Sequence, residues 1–79
     1  MNNPTEQGQV NNFVVVDPEI MDGLPTIRGT RIPVYVILEM IESGCSFGEI
    51  KREYPFLTEG QIRSAVHYAV ERVSLAESK

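Results

Sequence analysis

The sequence has little of what most active sites are built from. Its 79 residues include one cysteine, Cys45, and one histidine, His67. A single cysteine excludes an intrachain disulfide. It also stands about six helical turns of sequence away from the histidine, which leaves no ligand cluster for a metal. No glycine-rich phosphate loop follows a long strand, and no acid, base and nucleophile share one pattern. The expectation is a protein that is not an enzyme and has no metal, cofactor or small-molecule substrate. Long hydrophobic runs are missing too: VYVIL, from Val34 to Leu38, falls far short of the roughly 20 residues that span a bilayer. The first residues, MNNPTEQGQV, lack the basic start and apolar run of a signal peptide, so a cytoplasmic location with no membrane contact is predicted.

Basic residues are absent from the first 23 positions. That segment holds Glu6, Asp17, Glu19 and Asp22 and so carries −4, the formal net charge of the whole chain. Residues 24–79 are neutral, with seven acids against seven bases. An acidic total therefore leaves room for a local basic face that approaches phosphates.

A hydrophobic content of 42% and 23% charged residues describe a globular chain. A domain this small removes a modest fraction of its surface from water, so extra burial through a homodimer or another partner is expected.

Residues 1–12 are polar and without period, and read as a mobile tail ahead of one domain at 13–76, with 77–79 as a second tail. Strands are predicted near 13–16 (FVVV, ended by Asp17-Pro18) and 26–32, where Thr26 to Ile32 run extended around a turn at Gly29. Helices are predicted at 33–43, 47–53 and 59–75. Pro33 suits the start of the first, Gly44 its stop, and Val34, Ile37, Leu38 and Ile41 its apolar face. Val36 and Met40 lie on another face of that helix and form the expected dimer surface. SFGE and TEGQ are capping boxes that open the second and third helices, with Ser46 and Glu49 as one pair and Thr58 and Gln61 as the other. Ile62, Ala65, Val66, Ala69, Val70 and Val73 stay in register along the third helix.

A short helix, a turn through YPFL and a longer helix give the outline of a helix-turn-helix. DNA docking would then bring Gln61, Arg63, Ser64 and His67 to base edges or phosphates. Glu59 in the same turn favours the helix dipole and repels phosphate. Asp17, Glu19 and Asp22 lack calcium-loop spacing and read as turn residues. Cys45, beside Gly44, reads as a small apolar filler.

Arg28 and Arg31 have two readings. Their guanidinium forks can grip the phosphates or carboxylates of a partner, or can clamp the fold through acids such as Asp17, Asp22 or Glu53. We expect at least one of them to pair with the acidic segment or its flanking turn.

GLPTIRGTRIPV (Gly23 to Val34), SGCSFGEI (Ser43 to Ile50) and YPFLT (Tyr54 to Thr58), ahead of an Ala-rich helix, together resemble the small bacterial family called domain of unknown function 433. The resemblance runs over about residues 13 to 73. It implies a mainly α fold, a three-helix homeodomain-like or winged-helix-like bundle with a helix-turn-helix, preceded by two or three short strands. It also implies the antitoxin half of a toxin-antitoxin pair, with a PIN-like ribonuclease as the toxin partner and promoter DNA as a further partner of the dimer. The alternative is a protein-interaction or structural homo-oligomer module that never touches DNA.

Overall fold

The computed structural model describes residues 13–77. The expected tail at 1–12 and the last two residues lie outside them, while Glu77 belongs to the final helix. The order is β1 (Val14–Val15), β2 (Thr26–Ile27), α1 (Val34–Glu42), α2 (Phe47–Glu53) and α3 (Glu59–Glu77). The expected mainly helical architecture is present, with three helices behind a small sheet.

β1 and β2 are antiparallel, with Val14 opposite Ile27 and Val15 opposite Thr26. The second strand is much shorter than the expected 26–32 because the chain reverses inside that segment. Thr30 N–H donates to the Ile27 carbonyl at 3.0 Å, closing a turn over Arg28 and Gly29, and Gly29 supplies the required positive φ of 81°. The return limb is held by Ile27 N–H to the Ile32 carbonyl (3.0 Å) and Val34 N–H to the Pro25 carbonyl (2.8 Å). The Thr30 hydroxyl braces the reversal from inside: it donates to the Ile27 carbonyl at 2.7 Å and accepts from Ile32 N–H at 3.0 Å. The result is a tight hairpin, with Pro33 bridged to Thr26 at its base.

Between the strands, Asp17 forms the expected turn: its carboxylate accepts from Glu19 N–H at 2.9 Å and its carbonyl from Ile20 N–H at 2.8 Å. Met21, Asp22 and Gly23 follow as one tight turn with φ of 51°, 57° and 86°. Three successive left-handed residues are unusual, and Met21 is the costly one because its side chain gains no local hydrogen bond there.

Pro33 sits one position before α1 as its N-cap rather than inside it, with extended geometry (φ −67°, ψ 147°), so one residue ends the hairpin and starts the helix. The helix closes in a Schellman motif: Cys45 N–H bonds the Met40 carbonyl and Gly44 N–H the Ile41 carbonyl, both at 2.9 Å, with Gly44 at φ 98°. α2 opens on the reciprocal Ser46–Glu49 box and stops at Tyr54, which Pro55 holds out of helical geometry. α3 opens on the matching Thr58–Gln61 box.

Val14, Ile27, Val34, Ile37, Ile50, Leu57, Ile62 and Ala65 form the core where all these elements meet. α3 contacts α1, α2 and β1, which makes it the central element. Its apolar stripe, however, outruns the core. Ile62 and Ala65 are buried and Ala69 is half-buried, whereas every residue from Val70 to Glu77 is exposed. Among the described residues no helix is long and apolar enough to cross a membrane.

Candidate functional site

Where the α3 stripe leaves the core, it meets one end of α1 and the loop before β2. Leu24 and Pro25 form one wall, Val34, Tyr35 and Leu38 of α1 the floor, and Tyr68, Ala69, Arg72 and Val73 of α3 the other wall, enclosing a groove of about 270 Å³. Leu24, Tyr35 and Val73 are 40%, 50% and 55% exposed, far more than apolar groups in a satisfied interior. A second depression continues along α3 through Val70, Val73, Ser74 and Glu77. Arg72 lies over the Tyr68 ring, 5.9 Å from its centroid, so a cation marks the rim of an otherwise apolar surface. Such a surface suits an apolar side-chain row from another protein, with a carboxylate placed to meet Arg72.

Val36 and Met40, the expected dimer surface, are both half-buried, and Met40 packs against the core. The surplus apolar area of α1 emerges at Tyr35 instead. The sequence put Val70 and Val73 in register with buried residues, and nothing in the periodicity marks the turn at which the core ends.

The expected DNA-facing residues share the first turns of α3 but are not equally available. The Gln61 side chain accepts from Thr58 N–H at 2.8 Å and is spent as a cap. Arg63 is exposed, bonds Glu59 at 3.2 Å and lies 5.6 Å over the Phe47 ring. His67 Nε2 lies 3.2 Å from a Glu71 oxygen, an ion pair only when the imidazole is protonated. Ser64 is half-buried. Glu59, Arg63, His67 and Glu71 thus run down one face at every fourth position, with an acid at each end and Arg63 and His67 between them.

Among the described residues Arg28 and Arg31 make no clamp of the expected kind, and Glu6 of the acidic segment lies outside those residues. The salt bridges among the described residues are Arg63–Glu59 and His67–Glu71, and both hairpin arginines are exposed without one. The reason is local. The Asp17 carboxylate is turned back onto its own backbone, Asp22 sits in the left-handed turn, and the hairpin carries the arginines out to its tip, where an exposed pair would gain little. Arg31 borders an open cleft with Ile20, Gly29 and Thr30.

Cys45 is half-buried against the core, as a small filler would be. No group of three or more His, Cys, Asp or Glu side chains comes together among the described residues. Glu49 has its carboxyl held below its ordinary value, first because it accepts from the Ser46 backbone N–H and next from its hydrogen bond with the Ser46 side chain.

Comparison with known proteins brings three findings. Residues 14–69 match the model of a family described as protein of unknown function, DUF433. An uncharacterized protein of Sinorhizobium fredii, y4eO, is 38% identical over 57 residues, which are 72% of this chain and 26% of that protein. The chain thus spans about a quarter of the length of the curated relative it matches. The crystal structure of a DUF433 member from Anabaena variabilis superimposes with a TM-score of 0.74 over 95% of this chain and 93% of that one, at 24% identity, a likeness of fold alone.

Proposed function

The chain belongs to the DUF433 family, and from that premise we propose that it is a non-enzymatic, antitoxin-like protein that binds and blocks a partner toxin of the PIN-like ribonuclease class. One observation carries the reading: the apolar groove between α1 and the overhanging half of α3, walled by Leu24, Tyr35 and Val73. A blocking protein needs a docking surface rather than a reaction centre, and this surface combines exposed apolar side chains with a cation at the rim. The same groove would serve an interaction module with another partner, so the test must include neutralisation. Co-expression with the product of the neighbouring gene should rescue growth and yield a co-purifying complex. Val73→Asp should abolish both while shifting stability by no more than about 0.5 kcal/mol, because the side chain is outside the core. A wild-type chain that neither co-purifies nor neutralises would sink the reading.

Promoter binding by a dimer is a second part of this reading, supported by the α2–turn–α3 outline and by exposed Arg63 and His67 at the front of α3.

A further inference from the structure

On its own, the front of α3 is poorly equipped to hold DNA. Its exposed row Glu59, Arg63, His67, Glu71 carries no net positive charge whether or not His67 is protonated, and Arg63 is already paired at 3.2 Å. Affinity for a duplex comes mainly from cations that displace counterions from phosphates, so such a helix needs positive charge from a neighbouring element. We propose that the β2 hairpin tip, through Arg28 and Arg31, is that element and contacts the DNA phosphate backbone beside α3. This inference rests on the DNA-binding part of the reading above.

Four observations support it. Both guanidinium groups are exposed, and neither is in a salt bridge among the described residues. The tip that carries them is rigid: Gly29 turns it, the Thr30 hydroxyl ties it at 2.7 and 3.0 Å, and the Ile27–Ile32 bond closes the loop between them. Two arginines on a fixed turn with no ion pair among the described residues are preorganised for planar, forked recognition of an oxyanion. The tip also lies beside the front of α3. Arg28 N–H donates to the Phe13 carbonyl at 2.7 Å, and the Phe13 ring packs at Gly60, where an added methyl group would stand 3.7 Å from Cε2. Finally, Arg31 opens onto a cleft of about 390 Å³, so a ligand group can reach it. An acidic protein partner is the less favoured ligand, because the protein-docking groove lies at the other end of the hairpin, at Leu24 and Pro25.

The test is binding of the full-length protein to the duplex upstream of its own gene, followed by anisotropy from about 50 to about 200 mM salt. Arg28→Ala combined with Arg31→Ala should lower the slope of log affinity against log salt by about 1.8, while lysine at both positions should preserve it. If the alanine double variant melts early, Arg28→Gln and Arg31→Gln singly decide, each expected to remove about 0.9. An unchanged slope in a folded variant overturns the proposal and leaves promoter binding standing. Wild-type protein that binds no duplex at any salt removes both. Loss of the partner protein with the DNA slope intact reassigns the hairpin to acidic protein recognition and overturns the proposal as well.

Discussion

Thr26 is fully buried, and its hydroxyl has no hydrogen-bond partner among the described residues. In β2 it stands opposite Val15 and is bridged to Pro33, beside the core residue Ile27. A buried unsatisfied hydroxyl costs about 1 to 3 kcal/mol, so Thr26→Val, which keeps the shape, should raise the unfolding free energy by about 1 kcal/mol in urea titration. A drop in stability would mean that the oxygen is satisfied. Glu49 supplies a pH-dependent counterpart. Its folded carboxyl titrates below the ordinary 4.5, so its stabilisation is present above that value and is lost as the pH falls through the lowered one. Glu49→Gln keeps an acceptor for the Ser46 N–H but cannot ionise. Its stability deficit against wild type should be largest near neutral pH and close progressively in acid, read from denaturation at about pH 7 down to about pH 3. A deficit independent of pH would rule out the charge as the cause.

The elements differ in how far the sequence revealed them. Both capping boxes form as read, because their partners are three residues apart and need no tertiary context. The Thr58 box carries more weight: the helix it opens brings Ile62 and Ala65 into the core within two turns. Thr58→Ala should therefore lower the stability of the whole domain by about 1 kcal/mol in thermal or urea unfolding, and a loss well below that would show that other groups satisfy the first turn. The hairpin was only half legible. Gly29 marked a turn, but the pattern of Thr26 to Ile32 also fits one extended strand, and only the Ile27–Ile32 and Thr30 bonds separate the two. Among the described residues the arginine clamp is missing for a related reason: sequence distance placed Asp17 and Asp22 nearby, and the turns at Asp17 and Met21–Gly23 directed them elsewhere.

For the whole molecule, the three-helix outline and much of the core were visible in periodicity, since Val34, Ile37, Ile62 and Ala65 fall where the apolar stripes of the first and third helices predict. The candidate site was not. Val70 and Val73 continue the stripe of Ile62 and Ala65 without a break, and whether such residues are inside or outside depends on where the other elements stop. Tyr35 and Leu24 become neighbours only because the hairpin folds Pro25 against the start of α1.

That division of α3 has a consequence for how copies of this chain can diverge. In the front half Ile62 and Ala65 are constrained by the core, so substitutions at those positions act on whether the protein folds. From Val70 to Glu77 every residue is exposed. Substitutions in its last two turns therefore change the surface that the helix presents while the core beneath Ile62 and Ala65 stays constant.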